Sequence, residues 1–208
     1  DEVRLVATDR YRLALRSLRG QRFEGGIARV GVAVDALLSL VPVLLLADMV
    51  VLRVDHTGLT CVVDDQRHVL GDRAGGFPDY RVMLGSIPPA EARLVADRRA
   101  ALAVVRSAGS DGVVVLTRAD DGAVVIGQPR VGDMRTVAGT WRGPGFHVAF
   151  DAAHLAEALA VSVGPDVIVE LTDGPCPAVI RSADHGSFTT LVMPRAYAEP
   201  IGALHRSR

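Results

Sequence analysis

One pattern recurs three times along this chain: an apolar, strand-like run ending in aspartate, a helical stretch, then two alternating strands joined at a glycine. The copies open with Val32-Ala33-Val34-Asp35, Leu94-Val95-Ala96-Asp97 and Val148-Ala149-Phe150-Asp151, and their turn glycines are Gly58, Gly122 and Gly174. The aspartate-to-glycine separation is 23, 25 and 23 residues. A unit with an apolar face on both helix and sheet cannot bury that surface alone, so the copies must stack. Function is therefore expected in what such an array encloses or displays.

The local signals fill in each copy. Asp35 is expected to cap a helix kept short by Pro42, whose ring clashes with the preceding turn. A strand is expected over Val30 to Val34. Val50, Leu52 and Val54 alternate with polar residues, turn at His56-Thr57-Gly58, and pair with Leu59, Cys61 and Val63, with a third strand around Arg67 to Leu70. The second copy predicts a helix over Arg98 to Ala108, strands Val113 to Thr117 and Ala123 to Ile126, and a further strand from Met134 to Trp141. In the third, Asp151 caps a helix whose Ala152, Leu155, Ala158 and Leu159 share one face, followed by strands Val167 to Leu171, Ala178 to Ile180 and Phe188 to Val192. Arg4 to Leu18 reads as two strands around Asp9-Arg10-Tyr11, the closing hairpin of a further copy. The fold class is α+β, with helices on one face of largely antiparallel sheets. The Gly75 to Tyr80 and Gly85 to Pro89 stretches read as a linker, dividing the chain into residues 1–85, a partial domain, and 86–208, a complete one with a tail.

Length and chemistry narrow the class. The chain has 208 residues and 49% hydrophobic content, enough for packed cores, and its longest apolar run, Leu40 to Ala47, is too short to cross a bilayer. A soluble, cytoplasmic protein is expected. The chain does not open with Met, so further sequence is expected before Asp1. Cys61 and Cys176 stand in strands without metal-ligand spacing and read as two buried thiols rather than a disulfide. All 23 basic residues are Arg, and a net charge of -1 offers no whole-molecule attraction to nucleic acid. His56, His68, His147, His154, His185 and His205 are scattered, no nucleophile elbow or phosphate loop occurs, and the aspartate pairs sit beside turns. No metal, no cofactor and no catalysis are expected.

Three motifs carry a resemblance: Leu5-Val6-Ala7-Thr8-Asp9-Arg10-Tyr11-Arg12-Leu13-Ala14, Gly76-Phe77-Pro78-Asp79-Tyr80-Arg81, and Leu191-Val192-Met193-Pro194. In order and separation they resemble the bacterial DNA polymerase III β subunit, the sliding clamp, over part of its middle domain and the whole of its final one. The resemblance implies the DNA clamp (processivity) fold and a non-catalytic accessory role in DNA replication. It implies a cleft that takes short peptide motifs of DNA polymerase and repair proteins, here formed by Thr8, Arg10, Tyr11, Arg12, Leu13, Pro78, Val192, Met193 and Pro194. Leu13, Val192 and Met193 would line an apolar pocket, and Thr8 and Arg12 would hold a peptide backbone. It also implies a homodimeric ring around double-stranded DNA if an N-terminal part is present.

Two departures stand out: Arg10 occupies a position that is usually glycine in the family, and Arg195 to Arg208 continue past the Met-Pro motif. A DNA-facing wall needs cations for phosphate neutralisation. Arg98, Arg99 and Arg106 on the second helix are the candidates, with Asp97 and neighbouring carboxylates available to neutralise them; the first helix has no basic residue and the third offers His154 and Glu157. The same segments are also similar to clamp-like tails of MerR-type transcription regulators, which gives the alternative: a regulatory domain with no replication role.

Overall fold

The computed structural model describes residues 2–19, 22, 24–72 and 76–196; most of the expected tail, 197–208, lies outside them. In chain order the elements are β1 (Glu2–Thr8), β2 (Arg12–Arg19), α1 (Val34–Leu44), β3 (Val50–Asp55), β4 (Gly58–Val63), β5 (Gln66–Gly71), α2 (Tyr80–Gly85), β6 (Ala92–Asp97), α3 (Arg98–Ser107), β7 (Val113–Arg118) and β8 (Val124–Gln128). A short 3-10 turn (Pro129–Val131) leads to β9 (Asp133–Val137), β10 (Gly139–Arg142), β11 (Val148–Asp151), α4 (Ala152–Val161), β12 (Asp166–Leu171), β13 (Ala178–Ser182) and β14 (Phe188–Val192). The chain forms two compact units, Asp1–Gln21 with Gly85–Arg208, and Arg22–Leu84.

The larger unit contains two copies of the repeat that exchange their leading strands. Strands β7, β8 and β9 form one antiparallel ladder, and β12, β13 and β14 another. The leading strand of each copy pairs with the first post-helix strand of the other. Thus β11 lies on β7, with Asp151 opposite Val113, and β6 lies on β12, with Asp97 opposite Asp166. The hairpin β1–β2 extends the second ladder, giving a seven-stranded sheet in the order β1-β2-β14-β13-β12-β6-β10 beside the four-stranded β11-β7-β8-β9. This is why the first residues group with the larger unit rather than with an expected 1–85 domain: β2 pairs with β14, Leu13 opposite Leu191.

Helices α3 and α4 pack on each other, and with Leu94, Leu116, Ile126, Phe150 and Ile180 they close one core. Both helices start as expected. The Asp97 carboxylate accepts from the Ala100 amide at 2.7 Å, and that of Asp151 from Ala153 at 3.1 Å and His154 at 3.4 Å, satisfying amides that a first turn leaves free.

The expected Met134 to Trp141 strand is instead two, β9 and β10, in different sheets. At the crossing, Gly139 lies so close to Val95 that a β-carbon would overlap its carbonyl. Trp141, on β10, is buried and donates its indole N–H to the Pro144 carbonyl at 2.8 Å.

The smaller unit holds one copy: α1 and the ladder β3-β4-β5, all antiparallel. Three local expectations change here. Residues 30–33 have no ladder partner, so no strand forms over Val30 to Val34. Helix α1 then starts at Val34 with Ala33 as its uncapped N-terminal residue, and Asp35 falls inside the first turn. Pro42 lies within the last turn, where one lost amide donor shortens the helix little, so α1 runs on to Leu44. Within the expected linker, Asp79 accepts from the Arg81 amide at 3.0 Å and starts the short helix α2.

Candidate functional site

The β1–β2 turn is built by side chains that fold back on it. Thr8 Oγ1 donates to the Arg12 carbonyl at 2.7 Å. The Asp9 carboxylate accepts from the Tyr11 and Arg12 amides, both at 3.1 Å, and from Arg12 Nε at 2.8 Å. These bonds hold Arg10 at φ +81°, a left-handed conformation that a β-carbon opposes. Arg10 is exposed, and its guanidinium has no hydrogen-bond or ion-pair partner among the described residues.

The turn meets two other elements of the same unit. The Met193 amide donates to the Tyr11 carbonyl at 2.8 Å, continuing the β2–β14 ladder past Val192. On the other side Arg12 bridges to Glu157 of α4 at 2.5 Å, and the Tyr11 ring stacks on His154 with centroids 5.5 Å apart and planes 18° from parallel. The structure therefore brings Thr8, Arg10, Tyr11, Arg12 and Leu13 together with Val192, Met193 and Pro194. Pro78 belongs to the smaller unit, where it is exposed just before α2.

These residues differ in exposure. Leu13 and Val192 are core residues, 2% and 0% exposed, whereas Tyr11 and Met193 are 61% and 38% exposed and offer the apolar surface. The Thr8 hydroxyl and the Arg12 guanidinium are already engaged within the chain. Burial works against the Asp9 charge, but hydrogen bonds from the Arg12 side chain and the Tyr11 and Arg12 amides outweigh it and hold Asp9 below the ordinary carboxylate value. Burial likewise works against Arg12, and its bonds to Asp9 and Glu157 outweigh that and raise it. His154 and Glu157 as partners of the turn are not legible from sequence, since the Arg12–Glu157 pair joins positions 145 residues apart.

The three arginines of α3 are not equivalent. Arg98 Nε donates to the Gly164 carbonyl at 2.7 Å and its Nη1 to the Leu159 carbonyl at 3.4 Å, tying α3 to the end of α4. Arg99 and Arg106 are exposed without a hydrogen-bond or ion-pair partner among the described residues. Arg106 shares a shallow groove of about 220 Å³ between α3 and α4 with Glu157, so this surface carries both signs of charge.

Both cysteines are free, Cys61 buried and Cys176 only half-buried, and burial pushes the Cys61 thiol up. Among the described residues no three His, Cys, Asp or Glu side chains gather as a metal site, and no helix is long and apolar enough to cross a membrane.

No protein-family model and no curated protein matches the sequence. Solved structures do match the fold. A DNA polymerase sliding clamp from Pseudomonas aeruginosa superposes with a TM-score of 0.82 at 22% identity, over 94% of this chain and 56% of that one. The DNA polymerase III β subunit of Thermotoga maritima gives 0.80 at 20%, over 95% and 56%. A Pseudomonas aeruginosa DnaN sliding clamp bound to griselimycin gives 0.82 at 23%, over 94% and 56%. The chain thus spans about half the length of these proteins, and over that half it has the fold of the bacterial sliding clamp, the DNA polymerase III β subunit.

Proposed function

We propose that this chain is a non-catalytic, clamp-type interaction module. It captures short extended peptides of DNA polymerase and repair proteins where the β1–β2 turn meets the end of β14, and serves in the cytoplasm as a processivity factor or part of one. The observation that carries this reading is the Met193–Tyr11 backbone bond of 2.8 Å, which joins two exposed apolar residues at the edge of the buried Leu13 and Val192. A thioether and an aromatic ring suit varied apolar anchors, and for an extended ligand such side-chain contacts give specificity while main-chain hydrogen bonds give affinity. Arg10 and Pro194 complete the rim, and Pro78 joins the site through the resemblance alone.

The test is an anisotropy titration with short clamp-binding peptides. Micromolar binding is expected, weakened about tenfold, or roughly 1.4 kcal/mol, by Tyr11→Ala or Met193→Ala. Griselimycin, bound by a Pseudomonas clamp, is expected to compete. A peptide panel without detectable binding, or binding indifferent to both substitutions, removes the reading.

A second reading, a regulatory domain of a MerR-type regulator without a replication role, draws on α3. With Arg98 committed to carbonyls, Arg99 and Arg106 remain as the cations on that helix for a duplex, and Glu157 stands beside Arg106. Under the clamp reading, double-stranded DNA would run along this helix, within a homodimeric ring if an N-terminal part is present.

A further inference from the structure

Among the described residues three that are not glycine lie in the left-handed region, Arg10, Asp64 and Asp65. The two aspartates form the turn between β4 and β5, a place where short polar side chains adopt this conformation readily. Arg10 is the long side chain of the three and stands at the apex of the β1–β2 turn. Its amide reaches Thr8 Oγ1 at 3.4 Å, while its guanidinium has no partner among the described residues to offset the strain. Strain held under an exposed, unpaired side chain points to a role outside the packing of the chain.

The charges around the turn single out Arg10 further. Asp9 and Glu157 both face the Arg12 guanidinium, at 2.8 and 2.5 Å, and Asp151 at the start of α4 faces Arg195 at 3.7 Å. Each of these carboxylates already has a cation. Arg10 is thus the surplus positive charge beside the exposed Tyr11 and Met193, the surface on which an extended ligand would lie. A guanidinium presents a planar fork that matches a carboxylate and can hold it through two parallel bonds. A polyanion fits less well, because phosphate binding draws on several cations and here Asp9, Glu157 and Asp151 would oppose it.

We propose that Arg10 is a specificity-determining residue of the peptide site and selects extended peptides that carry an Asp or Glu beside their apolar anchors. This inference rests on the peptide reading above and adds to it the charge of the ligand. Because the guanidinium is exposed, the pair is solvent-screened, and the preference for the acidic ligand is about threefold rather than orders of magnitude.

The experiment is an anisotropy titration of the 208-residue chain with matched labelled peptides, identical in their apolar anchors and bearing Asp or Asn at each remaining position in turn. The expected result is a position at which the Asp form binds about threefold more tightly than the Asn form, a ratio that shrinks as salt is raised and falls to one in Arg10→Gln. Arg10→Lys keeps a cation without the fork and is expected to keep part of the ratio. Each variant is compared with itself, so the ratio is separate from changes in stability or in overall affinity. Peptides that bind and respond to Tyr11→Ala, yet show equal Asp and Asn forms at every position or a ratio untouched in Arg10→Gln, overturn the proposal and leave the peptide reading standing. A panel without any binding removes both. Loss of duplex DNA association in Arg10→Gln with no preference for Asp assigns the cation to phosphate and likewise overturns the proposal.

Discussion

Arg12 on the first hairpin lies 2.5 Å from Glu157 on α4, while its Nε holds Asp9 at 2.8 Å. One guanidinium thus shapes the turn and anchors it to a helix. Glu157 is 64% exposed, so the outer bond is solvent-screened and contributes little stability, while the bond to Asp9 fixes the conformation of the turn.

The Asp9 carboxyl supplies a pH-dependent check. Its folded value lies below the ordinary 3.8, so the stability it contributes is complete above that value and is lost as pH falls through the lower folded one. A side-chain carboxyl NMR titration is expected to give a midpoint below 3.8 for Asp9, and Arg12→Gln is expected to raise it. A midpoint indifferent to Arg12 would mean that the backbone amides alone hold the charge.

Arg10→Gly is expected to stabilise the protein. A residue with a β-carbon in the left-handed region costs about 1 kcal/mol relative to glycine, and the Arg10 side chain has no partner among the described residues to offset it. Urea unfolding would register the gain as a higher midpoint at unchanged slope. A lower midpoint would show that the guanidinium makes a compensating contact.

The alternation of β12 and the caps at Asp97 and Asp151 are legible in the sequence because they are local. What escaped reading depends on partners. Met134 to Trp141 reads as one strand-like run, and it divides between two sheets where Gly139 lies against the Val95 backbone. The expected cap at Asp35 is absent because α1 begins at Val34, which puts Asp35 inside the first turn. At the site, the motif residues marked the place, but the buried state of Leu13 and the stack of Tyr11 on His154 arise from contacts distant in sequence.

Arg99 and Arg106 are exposed on α3, seven positions apart and so on one face. If duplex DNA runs along this helix, Arg99→Ala with Arg106→Ala is expected to weaken association and flatten its salt dependence by about two units of log–log slope. Arg98→Ala is expected instead to lower stability, because its guanidinium serves the Leu159 and Gly164 carbonyls. DNA association unchanged in the double variant would exclude this face and favour the regulatory reading.

The three repeat aspartates should separate by stability. Asp97 and Asp151 each accept from amides that no other group in the first turn satisfies, so replacing either by Ala is expected to cost about 1 kcal/mol. Asp35 lies within the first turn of α1 and makes no cap, so its carboxylate contributes only through the positive end of the helix, a few tenths of a kcal/mol. Chemical denaturation of Asp35→Ala, Asp97→Ala and Asp151→Ala therefore ranks the first well below the other two. Equal losses at all three would mean that Asp35 begins its helix as the others do, and that residues 30–33 are held as a strand in solution.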